Sequence, residues 1–109
     1  MKIKPGANIE GIDIRMRPAL IYADKLWREL GRPEGVTVTC GMDGEHSAGS
    51  LHYYGLALDF RTHYFGTVEK MKAANALEHS LGSDYDVIVH GSHIHVEFDP
   101  DLGASLNED

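Results

Sequence analysis

The sequence predicts an α+β domain, a small antiparallel sheet with two helices covering one face. Three observations carry this reading. Two stretches of helical length repeat their apolar residues about every 3.6 positions. Short runs of alternating or β-branched residues lie between and after them. Between the last two of those runs Gly91-Ser92 supplies a tight two-residue hairpin turn.

Residues 1–15, punctuated by Pro5, Gly6 and Gly11, read as an irregular N-terminal segment. A helix is expected from Arg17, with Pro18 in its first turn and a stripe of Leu20, Ile21, Ala23, Leu26, Trp27 and Leu30. Gly31 and Pro33 stop it. Val36 to Cys40 is β-branched and bounded by glycines, hence a strand. A polar loop spans 41–51. From Gly55 to Phe60 the chain alternates, with Leu56, Leu58 and Phe60 on one face and Ala57 and Asp59 on the other. A second helix is expected over about Thr67 to Leu81, capped by Thr67, with Val68, Met71, Ala74 and Leu77 facing inward. Tyr85–Val89 and His93–Phe98 then form the hairpin. The tail from 99 to 109 is acidic and expected to fray.

The 109 residues suit one domain with a single modest core, and 42% hydrophobic with 25% charged residues is ordinary for a globular chain. A formal charge of −7 without any Lys/Arg cluster argues against nucleic-acid binding, which needs clustered cations for phosphate. Nothing approaches the roughly 20 apolar residues of a membrane span. No apolar run follows the first lysines, so no signal peptide is expected. The expectation is synthesis in the cytoplasm, with action at a cell wall or periplasm only after release. Cys40 is the single cysteine, which excludes an internal disulfide. With no activated-nucleophile pattern around it, Cys40 reads as a small strand residue.

The chemistry concentrates on the last strand. His93, His95 and Glu97 share one face and Ile94, Val96 and Phe98 the other. Asp59 points the same way from its own strand, and His52 comes from the loop leading into it. Several metal-capable side chains can therefore converge on the uncovered face of the sheet. Two histidines with one carboxylate are the protein ligands of a catalytic zinc site, whose fourth position stays open for water. A closed structural site would recruit more cysteine than this chain has.

The compound pattern Ser50-x-His52-x-x-Gly55-x-Ala57-x-Asp59, followed by His93-x-His95, resembles the zinc D-alanyl-D-alanine carboxypeptidases, the phage peptidoglycan endopeptidases and the related lysostaphin-like enzymes. It is also similar to the Hedgehog signalling domain. The similarity spans residues 36–98. It implies that His52, Asp59 and His95 bind one Zn2+, with His93 beside the metal, and that the substrate is a peptidoglycan stem peptide or another small peptide. Val89 stands where the Hedgehog-like pattern has a glutamate. His90, His93 and His95 instead reproduce the His-x-x-His-x-His spacing of other members, so His93 and His90 are assigned as the base and transition-state pair.

On the substrate side the reading places Ser50, Arg61 and His46, the last corresponding to a histidine near the Hedgehog zinc. Asp43 and Glu45 flank His46 and could take a second cation such as Ca2+, although Cys40 falls where one calcium acid would be. Carboxypeptidase members carry an upstream arginine for the substrate's terminal carboxylate. No Arg or Lys lies between Val36 and His52, and Arg61 is the one substitute on the face of Asp59. That absence favours an endopeptidase. The alternative is a non-catalytic Hedgehog-like module that uses the same zinc cleft to recognise a peptide or protein partner.

Overall fold

A computed structural model describes residues 1–44, 46 and 48–100. Among the described residues five strands form one sheet: β1 (Lys2–Ile3), β2 (Thr37–Cys40), β3 (Ala57–Arg61), β4 (Tyr85–Val89) and β5 (His93–Phe98). Their spatial order is β1-β2-β3-β5-β4. Helices α1 (Arg17–Glu29) and α2 (Thr67–Leu81) pack on each other and on the sheet. The α+β class is as the periodicities predict, but the sheet is mixed. β1 runs parallel to β2, through bonds such as Lys4 N–H to the Val38 carbonyl at 2.9 Å. A two-residue strand carries no readable period, so the segment expected to be irregular conceals it. A short 3-10 turn, Ile14–Met16, also lies at the end of that segment, capped by Asp13.

The core lies between the helices and the apolar sheet face. Ala19, Ala23 and Trp27 of α1 meet Ala73, Ala74 and Leu77 of α2 and Leu58, Phe60, Ile94 and Val96 of the sheet. Small side chains let the helices approach closely, which decides which stripe turns inward. Ile21, expected in the stripe, is 59% exposed. It lies two residues from both Ala19 and Ala23, about 200° around the helix, and so faces away. On α2, Val68 and Met71 are exposed and Ala73 replaces them in the core. Nor does Thr67 cap α2. Gly66 occupies the cap position with no side-chain bond, and Thr67 is the first helical residue. No helix among the described residues is long and apolar enough to cross a membrane.

Three contacts place the opposite sheet face. The Trp27 indole N–H donates to the Arg61 carbonyl at 2.9 Å, tying α1 to the end of β3. Lys70 of α2 reaches the Gly91 carbonyl at 2.7 Å and holds the β4–β5 turn. That turn closes as expected, His90 N–H donating to the His93 carbonyl at 2.9 Å. Gly55 ends the 3-10 turn Leu51–Tyr54 at φ 71°, where a Cβ would meet the Gly11 carbonyl oxygen at 2.7 Å. Only glycine fits that left-handed, crowded position.

Candidate metal centre

The register of β3 against β5 places Asp59 opposite His95, with Arg61 opposite His93 and Ala57 opposite Glu97. Directly paired side chains on one face stand about 5 Å apart at Cβ, within reach of a shared ion. His52 enters from the 3-10 turn beside β3. Ser50 caps that turn, its hydroxyl accepting from the His52 N–H at 3.3 Å. This fixes the direction in which the imidazole leaves the backbone. His52 is 3% exposed.

The donor atoms of His52, Asp59 and His95 converge. His52 Nε2 lies 3.2 Å from His95 Nδ1 and 3.4 Å from Asp59 Oδ1, and His95 Nδ1 lies 2.9 Å from that oxygen. Ligands bound at about 2.0–2.1 Å with tetrahedral angles sit about 3.3 Å apart. The three distances are close to the edges of such a tetrahedron, so the donor set fits zinc.

The remaining ring nitrogens are also engaged. His52 Nδ1–H donates to the Gly41 carbonyl at 2.7 Å, and His95 Nε2–H to Glu97 Oε1 at 2.8 Å. Such outer partners fix the tautomer that leaves the inner nitrogen free for a metal. Glu97 was legible only as a third polar residue on the β5 face. Its role follows from its position two residues from His95, with small Ala57 opposite.

Electrostatics follow from this packing. Burial pushes the Asp59 carboxyl up, but hydrogen bonds from His52 and His95 and the charges of His52 and His93 hold it well below the usual carboxylate range. Burial pulls His95 down, yet its bonds to Asp59 and Glu97 outweigh this and raise it above an ordinary histidine. His93 goes the other way. Burial, reinforced by His90, His95 and His52, lowers it despite Asp59, favouring the neutral, proton-accepting form.

His93 stands beside the triad, its Nε2 3.8 Å from Asp59 Oδ2, and stacks on His90 with ring centroids 4.6 Å apart. A cavity of about 340 Å³ opens there, lined in part by Lys4, Thr39, Asp59, Arg61, His63 and His93. Arg61 is thus at the site, as alternation suggests. Lys4 and His63 were missed, because Lys4 arrives through the unread parallel pairing of β1 and His63 through the loop after β3.

His46 stacks on His52, centroids 4.2 Å apart and planes 12° from parallel. Its Nε2 lies 2.9 Å from the Asp43 carbonyl and 3.4 Å from Cys40 Sγ. Cys40, His46 and His52 therefore make a second group of converging metal-capable side chains. Two histidines do surround Cys40, contrary to the sequence pattern, because His46 and the turn Leu51–Tyr54 lie against the end of β2. Its thiol is nevertheless a poor nucleophile at neutral pH. Burial, then the charges of Asp43 and Asp59, push it up to about 12. The Asp43 carboxylate accepts from the backbone N–H groups of Asn8 and Gly41, both at 2.8 Å, and joins no metal-capable group among the described residues. Glu45 lies outside the described residues, so the calcium expectation gains no support. A third group, Asp86, Glu97 and Asp99, consists of acids at the sheet rim.

The chain matches no known protein-family model and no curated protein.

Proposed function

We propose that the protein is a zinc peptidase that cleaves an amide bond in the stem peptides of bacterial cell-wall peptidoglycan. The observation that carries the reading is the His52–Asp59–His95 donor triangle, with locked outer nitrogens and with His93, stacked on His90, lining the adjoining cavity. The motif's resemblance to the D,D-carboxypeptidases and phage endopeptidases, with the Hedgehog-like fold it implies, supports the substrate class.

His52 Nε2, Asp59 Oδ1 and His95 Nδ1 would hold the ion. When bound, zinc supplies Lewis acidity and lowers the pKa of water toward neutrality. His93, beside Asp59 and facing the cavity, takes the nucleophile's proton and returns it to the leaving amine. His90 stacks on the His93 ring and orients it. Lys70 holds the turn that carries both histidines.

We favour an internal bond. The cavity's Lys4 and Arg61 support a second reading, release of a terminal residue, because two cations suit a substrate carboxylate. The test is incubation of zinc-loaded protein with purified peptidoglycan and mass analysis of the fragments. Cleavage that disappears in Asp59→Ala is expected. Full zinc occupancy without any fragment would overturn the enzyme and favour the peptide-binding module. Equal rates on stem peptides with free and amidated C-termini support internal cleavage. A steep loss on amidation, repeated by Arg61→Ala, shows terminal recognition.

A further inference from the structure

We infer that Cys40, His46 and His52 form a second cation site, suited to a thiophilic ion such as Zn2+ or Cd2+, at the ring nitrogen of His52 that faces away from the triad. The ligand atoms of the three residues all lie within 4.8 Å of one another. Cys40 Sγ is 3.4 Å from His46 Nε2 and 3.9 Å from His52 Nδ1. A thiolate bound at about 2.3 Å and an imidazole at about 2.0 Å, separated by a tetrahedral angle, stand about 3.6 Å apart. The two distances bracket that value.

The convergence is tertiary, drawing on the end of β2, the loop at 46 and the turn Leu51–Tyr54. Backbone oxygens face the same spot. The Asp43 carbonyl is 3.4 Å from the sulfur and 2.9 Å from His46 Nε2, and the Gly41 carbonyl is 2.7 Å from His52 Nδ1. Sulfur with imidazole selects zinc and softer cations over calcium or magnesium. Asp43 and Asp59 surround the thiol with negative charge, and that field favours a cation as it disfavours a bare thiolate. On binding, the thiol proton and the Nδ1 proton of His52 pass to solvent, the Nε2 proton of His46 is exchanged through solvent for one on its Nδ1, and the imidazole N–H bonds to Gly41 and Asp43 are given up. His52 then presents Nε2 to the triad and Nδ1 to the second ion. The two sites are coupled through one ring. The proposal does not depend on peptidase activity.

The test is titration of the metal-free full chain with Cd2+, followed by ultraviolet thiolate-to-cadmium charge-transfer absorption and by stoichiometry. Two equivalents are expected, only one of them with the thiolate band. Cys40→Ser and His46→Ala should each abolish the band and one equivalent. Asp59→Asn should lose the other equivalent and keep the band. In the wild-type chain, cadmium should also slow reaction of Cys40 with a disulfide reagent by 10-fold or more, a readout that needs no variant. One equivalent, no thiolate band and an unprotected Cys40 would overturn the second site while leaving the triad intact. One equivalent with a band that survives Asp59→Asn would instead support this site and sink the triad.

Discussion

Replacing Asp59 by Asn tests the triad while keeping side-chain volume and the β3–β5 row in which Asp59 faces His95. A ligand that binds only the folded state at 100 times its Kd stabilises it by about 2.7 kcal/mol. In a domain of about 100 residues each kcal/mol moves the midpoint about 4–8 °C, so zinc should raise wild-type melting by roughly 10–20 °C. Four-ligand structural zinc sites are worth about 10–16 kcal/mol, roughly 3 per ligand, so losing the charged ligand should weaken binding about 100-fold. At the same free zinc the Asn variant then sits near its Kd and gains only about 0.4 kcal/mol, a few degrees. Trp27 is fully buried and packs on Phe60 and Phe65, so its fluorescence reports unfolding directly. Both are melted in a Cys40→Ser background, which removes the second cation site, and each protein is compared with its own metal-free melt, which cancels any effect of the substitutions on the empty fold. A zinc-induced shift in Asp59→Asn within a few degrees of the wild-type shift would refute the assignment.

Three further outcomes are expected. His93→Ala and His90→Ala should both retain zinc by elemental analysis, while at least one loses peptidoglycan cleavage by about 100-fold or more; loss of metal in His93→Ala but not in His95→Ala would reverse the ligands of the His-x-His pair. Glu97→Ala should weaken zinc binding about 10–100-fold in a competition titration with a chelating dye, and Glu97→Gln, which can still accept from His95 Nε2, should recover part of it; unchanged affinity in Glu97→Ala would remove its orienting role. In metal-free protein, the depressed Asp59 stabilises above the unfolded carboxylate value of about 3.9 and is lost as pH falls toward its folded value, while the raised His95 stabilises below about 6.5 and is lost as pH rises through its folded value. Urea midpoints should therefore plateau between about pH 4 and 6.5, and Asp59→Asn should flatten both flanks.

The legible parts of the fold were those with a period. The strand alternations around Leu58, Phe60, Ile94 and Val96 and the two-residue turn at Gly91-Ser92 are local, and the structure keeps them. The inward stripe of α2 was read correctly at Ala74 and Leu77 and misread at Val68 and Met71. Where two helices press on a sheet, Ala73 and Ala74 fit and Val68 and Met71 do not. The parallel pairing of β1 was invisible because a two-residue strand acquires its identity only from its neighbour.

The same division runs through the site. His52, Asp59, His93 and His95 were determined by sequence alone, since a seven-residue spacing and an alternating strand place chemically distinctive side chains on one face whatever surrounds them. Distance from partner residues separates that set from the rest. Lys4 joined the cavity only through β1, and Cys40 met His46 only in the folded chain. Side-chain alternation is a property of one strand and can be read along the chain. Which strands adjoin, and which nitrogen of a histidine is left free, depends on contacts between residues remote in sequence, and only the folded chain brings them together.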